Sequence, residues 1–226
     1  MRAAFYDFDG TLVSSNVVSR YFWYCREVRN PIEMIHRCST VLLGIPYWLW
    51  LDSRSRRRFN ETFYLLYRGL ELEWLRKRAR RMVAQEIVPK IYPGAAALIA
   101  ADREAGYEPV LVTGGLDFAM RPAAEHLGFD HLLANEMEFK DGIATGKIIE
   151  PLLAEDGKVK AIQAFVDRYN VDLSQSKAYS DSGSDAPMLE MTGHPTAVNP
   201  DQALKAIAQE RGWPVLDTKH GSTPAR

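Results

Sequence analysis

The stretch that most constrains this chain is Asp7-Phe8-Asp9-Gly10-Thr11-Leu12. It follows Met1-Arg2-Ala3-Ala4-Phe5-Tyr6, whose apolar part predicts a short buried strand over residues 3–7. Two carboxylates two residues apart then stand at the carboxyl end of a strand, where open α/β sheets place their ligands. Gly10 lets the chain turn sharply there. One carboxylate can attack as a nucleophile, and its neighbour can pass a proton to a leaving group and take one from water. Two anions so close repel each other, and a divalent metal relieves that. The same residues also suit a plain turn, with Asp7 capping backbone and Asp9-Gly10 closing the loop. The rest of the chain decides between the two.

Beyond residue 90 strands and helices alternate. Residues 109–113, 132–134, 177–180, 195–198 and 214–216 read as strands, and residues 95–105, 117–127, 158–169, 186–191 and 201–210 as helices. Val159, Ile162, Val166 and Tyr169 mark one face of the third of these helices. Lys140-Asp141-Gly142-Ile143 is a hairpin turn signal. Such alternation predicts a parallel, doubly wound sheet. Residues 14–90 carry no strand pattern. They are rich in Arg, Leu, Tyr and Trp, punctuated by Pro31, Gly44, Pro46, Gly69 and Pro89, and predict four or five helices. The expected fold class is therefore α/β: a Rossmann-like parallel-sheet core (residues 1–13 and 91–218) with an inserted all-α cap (residues 14–90). The small polar residues 219–226 are expected to fray.

Three further stretches carry chemistry. Val112-Thr113-Gly114-Gly115 ends a strand with a hydroxyl and two glycines, whose backbone N–H groups can cradle a phosphate, and Asp117 or a neighbour would cap the next helix. Asp156-Gly157-Lys158 opens a helix with a lysine that opposes the helix dipole unless its ammonium meets an anion. Tyr179-Ser180-Asp181-Ser182-Gly183-Ser184-Asp185 puts Asp181 at a strand end and Asp185 in the first helical turn beyond it. Capping explains Ser184 and Asp185. It leaves Asp181 without a partner, which a Mg²⁺ ion shared with Asp7 would supply.

Taken together, the carboxylate pair, Thr-Gly-Gly, Lys and second carboxylate pair resemble, in order and spacing, the haloacid dehalogenase-like phosphohydrolases. The resemblance spans almost the whole chain. Thr113-Gly114-Gly115-Leu116-Asp117, the Ala134-Asn135 to Gly146 stretch and the early helical insertion are similar to the phosphoserine phosphatase-like branch. The resemblance implies Asp7 as the nucleophile that becomes an aspartyl-phosphate. It implies Asp9 as general acid and base, with its backbone carbonyl on the metal. Thr113 and the N–H of Gly114, with Gly115 beside them, would bind the phosphoryl group, and Lys158 would neutralise it. Asp181 would hold Mg²⁺, and Asp185 would support the metal or Lys158. Two positions depart from the branch. Asn16 stands where those enzymes carry a glutamate that contacts the substrate's amino group, and Ser184 stands where they carry Asn. Arg54, Arg56, Arg57 and Arg58 compete for the arginine that holds the substrate's carboxylate, and Arg57 is the candidate taken.

Composition bounds the partners. The 226 residues carry a net charge of −1, which gives no nucleic-acid bias. Residues 14–90 hold fifteen Lys/Arg against seven Asp/Glu, a net of +8, leaving −9 for the rest. That asymmetry suggests two modules facing one anionic substrate. Cys25 and Cys38 make no disulfide framework or metal spacing, and the chain opens directly on its strand, so a cytoplasmic setting without a leader is expected. The apolar run Val41–Leu51 is too short to span a bilayer. The preferred reading makes it a buried cap helix with a solvated arginine face. The other reading, with Arg54 and Arg56 to Arg58 beside it, is peripheral membrane contact by a phosphatase of a lipid-like phosphate. The main expectation is a Mg²⁺-dependent phosphomonoesterase acting on a small-molecule phosphate ester. The alternative of another class is a non-enzymatic binding or regulatory protein on the same scaffold.

Overall fold

A computed structural model describes residues 1–220. Its centre is β1 (Ala3–Tyr6), whose four residues are all fully buried. An apolar run this short can be covered only by a sheet with helices on both faces. β2 (Glu108–Leu116) and β5 (Lys177–Ser180) pair with β1 on either side, both parallel. β3 (His131–Lys140), β4 (Ile143–Ile149), β6 (His194–Val198) and β7 (Val215–Leu216) complete a seven-stranded sheet in the order β4-β3-β2-β1-β5-β6-β7. Only β4 is antiparallel, joined to β3 at Asp141-Gly142 where the turn signal stood. The chain leaves β1 for β2 on one side and later returns to β5 on the other. The carboxyl end of β1 is thus the switch point of the sheet.

Helices α5 (Ala95–Glu104), α6 (Asp117–Leu127), α7 (Asp156–Tyr169), α8 (Ala186–Glu190) and α9 (Gln202–Arg211) follow the strands close to where the sequence predicts them. Strands β2 and β3 run longer than expected. β2 passes through Gly114 and Gly115, and β3 continues from the parallel sheet into the hairpin with β4. The buried face of α7 also differs from the expected one. Lys158, Ile162 and Phe165 are buried at helical spacing, while Tyr169 is exposed. Ile162 and Phe165 join the apolar layer formed by Phe5, Val110 and Val112.

Between β1 and α5 every regular element is helical: α1 (Val17–Arg26), α2 (Pro31–Arg54), α3 (Arg56–Phe63), α4 (Leu72–Met82) and short turns over residues 64–67 and 83–90. Tyr21, Tyr24, Phe63, Tyr64 and Tyr67 form its aromatic core. Two expectations fail in α2. Gly44 and Pro46 do not break it. Pro46 forfeits one bond to the carbonyl of Leu42, which lies on a half-exposed turn where water can reach it. Nor is the Val41–Leu51 run a buried helix: Val41, Trp48 and Leu51 pack inward, and the residues between them face out.

Residue 157 shows how tightly the core sets the site. A Cβ there would lie 1.7 Å from the Leu152 carbonyl oxygen. Only glycine lets α7 start against that backbone and so places Lys158 at the sheet edge. Gly157→Ala should cost about 1–3 kcal/mol or more, measured by urea denaturation. An unchanged midpoint would show that the loop before α7 yields freely.

Candidate active site

Asp7 stands immediately after β1, its N–H bonded to the Tyr179 carbonyl of β5. Asp7 is 6% exposed. Lys158, reaching across from the first turn of α7, donates to Asp7 Oδ1 at 2.6 Å and to Asp185 Oδ2 at 2.7 Å. Ser180 Oγ donates to the same Asp185 oxygen. Burial works against charge on the lysine. The carboxylates of Asp185 and Asp7 outweigh it and hold the ammonium charged. The opposed helix dipole is thus more than offset by two anions.

Gly10 follows with φ +87°, and a Cβ there would fall 2.0 Å from Asp181 Oδ2. Its absence allows the Asp181 carboxylate to lie against the turn. Thr11 Oγ1 is 3.2 Å from both Asp7 Oδ2 and Asp181 Oδ1. One hydroxyl proton cannot serve two carboxylates at once, so an anionic oxygen is left wanting a cation. Burial, with Asp7 and Asp185 nearby, pushes Asp181 up to about 8. Burial raises Asp7 to about 6 despite Lys158. Among the described residues no three His, Cys, Asp or Glu side chains gather as a ready metal cage. Mg²⁺ asks for less: one or two carboxylates, with water and phosphate oxygens for the rest. The Asp7–Asp181 pair, short of positive charge, fits that ion.

Asp9 is engaged elsewhere. The guanidinium of Arg20 in α1 grips it through two bonds of 2.6 Å. Arg20 is 2% exposed and also touches Ser15. Asn16 caps α1, accepting the Ser19 N–H at 2.9 Å.

Thr113 Oγ1 faces back into its own turn and accepts the Gly115 N–H at 3.0 Å. Gly114 alone of the Thr-Gly-Gly stretch lines the cavity. Its carbonyl accepts from Tyr64 and from Asn135 Nδ2. Asn135 is fully buried and takes the Leu153 N–H on its other atom, fixing the loop before α7. Asp117 opens α6 without capping it.

These groups surround a cavity of about 320 Å³. Asp7, Asp9, Asn16, Lys158, Asp181 and Asp185 lie in its wall, with Arg56 and Asn60 from α3 opposite. Thr113 and Gly115 are not in the wall. Nor is Arg57, which points to Glu61 and Glu150 on the outside. Arg56, its neighbour, lies in the wall instead.

Sequence reasoning missed Arg20, Asn135, Ser180 and Arg56 as the cavity arginine. Arg20 had a signal, as a lone charge inside the apolar run Val17 to Cys25. Asn135 had none.

Comparison with known proteins shows the family. The profile described as haloacid dehalogenase-like hydrolase matches residues 4–190. The chain belongs to that family. It is 32% identical to the inhibition of morphological differentiation protein of Streptomyces azureus, over 95% of this chain and 78% of the relative. It is 28% identical to a phosphoserine phosphatase of Mycobacterium tuberculosis, over 99% and 73% respectively. Among solved structures, a protein of unknown function from Bordetella pertussis Tohama I superposes with a TM-score of 0.81 at 27% identity, over 96% of this chain and 98% of that one. An apo phosphoserine phosphatase shares the fold, with a TM-score of 0.66 at 22% identity, over 96% and 93%. The phosphoserine phosphatase-like side of the family is the one that the four sequence stretches resemble.

The carboxyl groups give a pH signature. Both Asp7 and Asp181 hold their protons more tightly in the folded protein than in the unfolded chain. The native state then binds more protons across the interval from about pH 4 to about 8, so stability falls as pH rises through it. Melting in chelator should show the melting temperature dropping over that range, and Asp181→Asn should flatten the slope. A metal-free protein that gains stability across the interval would contradict these shifts.

Proposed function

We propose that this chain is a Mg²⁺-dependent phosphomonoester hydrolase, cytoplasmic, acting on a small phosphorylated metabolite through an aspartyl-phosphate. The observation that carries the reading is Lys158 locked between Asp7 and Asp185 at the sheet's switch point, facing the cavity. Phosphoryl transfer needs positioning and charge neutralisation, and this arrangement supplies both. The phosphatase names among the relatives support the same reading, and the free thiols of Cys25 and Cys38 suit a reducing compartment. Residues 1–13 and 91–218 would be the catalytic core, and the helices of residues 14–90 its cap.

In this reading the Asp7 carboxylate attacks phosphorus, and the ester oxygen leaves as Asp9 gives it a proton. Asp9 then takes a proton from the water that cleaves the aspartyl-phosphate, and inorganic phosphate departs. Asp7 and Asp181 would hold Mg²⁺, with Asp185 supporting Lys158. The ion would supply positive charge to the phosphoryl oxygens. Lys158 keeps Asp7 oriented and neutralises the incoming phosphoryl group. Both oxygens of Asp9 accept from Arg20, and the group has to present one of them to the leaving oxygen. The fork therefore opens, or gives up one bond, when substrate arrives. Arg56 extends the positive wall toward the phosphate.

Asp7→Asn should lower turnover of an aryl phosphate by on the order of a thousandfold or more, since an amide does not attack as a carboxylate does. Excess chelator should abolish activity and Mg²⁺ restore it. Near-normal rates in either experiment would defeat the proposal.

Asn16 bears on the substrate. Its side-chain oxygen already accepts the Ser19 N–H, and as a neutral amide it brings no charge to the cavity. An ammonium group on the substrate would find no anionic partner at this position. We therefore expect phosphoserine to be a poor substrate. Asn16→Glu should raise its kcat/KM relative to an aryl phosphate by about one power of ten, although glutamate caps α1 less well. A strong preference for phosphoserine in the unaltered protein would show that Asn16 does not set the choice.

A further inference from the structure

Helix α2 has two apolar faces. Val41, Trp48 and Leu51 pack into the molecule, Trp48 edge-on to Phe63. On the opposite side Ile32, Ile35, Leu42, Leu43, Leu49 and Trp50 recur at helical spacing and face outward. Leu43 is 83% exposed and Ile32 78%. A helix that is apolar all round belongs in an interior or at an interface. A stripe this long on a free surface marks a contact. No helix among the described residues, α2 included, is long and apolar enough to cross a membrane.

The charges around the stripe say what covers it. The only acids of α2 are Glu33 and Asp52, and each is paired within the protein, with Arg37 at 2.8 Å and Arg56 at 3.0 Å. Both ends of the stripe are cationic. Arg29 precedes α2, and Arg54 and Arg58 follow the stripe; all three are exposed and make no ion pair among the described residues. Arg54 instead lies over the Trp50 ring. A second copy of the chain is a poor occupant. A parallel two-fold pairing sets Arg54 against Arg54, and an antiparallel one sets Arg29 against Arg54 and Arg58. An anionic surface satisfies both ends. Exposed Tyr47 and Trp50 are the residue types that settle at the level of lipid headgroups.

We infer that the outward face of α2 docks on an anionic lipid bilayer, lying in its interfacial plane with Arg29, Arg54 and Arg58 among the headgroup phosphates. The last turn of α2 carries Asp52 to the cavity wall. The inference does not depend on the reaction performed there.

The full chain should be co-sedimented with vesicles of phosphatidylcholine alone and of phosphatidylcholine with phosphatidylglycerol, at low and high salt. Binding is expected to the anionic vesicles only, and to fade with salt. Leu43→Glu with Leu49→Glu should weaken it on the order of 100-fold, and Arg54→Ser with Arg58→Ser on the order of 30-fold. Neither pair touches the cavity, so circular dichroism, melting and aryl phosphate turnover should match the unaltered protein. The idea is overturned by equal binding to both vesicles or by binding to neither. It is overturned equally by vesicle binding that survives in folded Leu43→Glu/Leu49→Glu protein, or by a dimer in light scattering that this variant dissolves.

Discussion

The site depends on one buried ammonium. Lys158, in the first turn of α7, joins Asp7 after β1 to Asp185 in the turn before α8, all at one sheet edge. Each of the three charges is costly to bury alone, and each is tolerable only with the others in place. The triad therefore selects one relative placement of β1, α7 and the loop after β5. Removing the lysine leaves two adjacent buried carboxylates, and removing either acid leaves the lysine half-paired. The net charge of the cluster with Asp181 is −2 when all are ionised. That excess raises Asp7 and Asp181 together. An arrangement built only for stability would have balanced its charges; this one leaves an anionic excess.

A second buried pair performs the same service between layers. Arg20 belongs to the helical segment and Asp9 to the loop after β1. Tyr64 adds a bond to the Gly114 carbonyl, and Glu155 accepts from Ser55 and from the Arg57 N–H at the start of α3. The helices are thus registered on the sheet by polar contacts at the cavity itself. Anything that displaces Asp9 from Arg20 also loosens the helices, so the contents of the cavity and the position of the insertion are physically coupled.

Much of this was legible in the sequence. The strand before Asp7, the alternation after residue 90 and the Asp141-Gly142 hairpin follow from local rules: short apolar runs, glycine punctuation and turn chemistry. Lys158 was legible because a lysine in a first helical turn wants an explanation. Asn135 was not, since a polar residue in the middle of a strand reads as solvent-facing until the loop it holds is seen. The orientation of Thr113 was not legible for a related reason. A hydroxyl beside glycines can face a ligand or its own backbone, and here Oγ1 accepts the Gly115 N–H. The inward face of α7 was offset because apolar spacing alone could not count a buried lysine as part of the face. The exposure of α2 was illegible in principle, because a run apolar on both sides looks like core whichever side is covered.

The charge asymmetry, +8 in residues 14–90 against −9 elsewhere, first reads as two modules closing on an anionic substrate. The structure divides it differently. Among these basic residues only Arg20 and Arg56 reach the site, and Arg20 is spent on Asp9. Most of the others pair along helix surfaces, as Arg37, Arg57 and Lys90 do with glutamates. Such exposed pairs add little stability. Of the six basic residues here without an ion pair among the described residues, Arg29, Arg54 and Arg58 flank α2, beside apolar side chains that no described residue covers, and Arg26, Arg68 and Lys77 lie elsewhere. A field aimed at the cavity would place its free arginines around the mouth. This one places three of them around an apolar stripe, so the excess charge is better matched to an extended anionic surface than to a single phosphate.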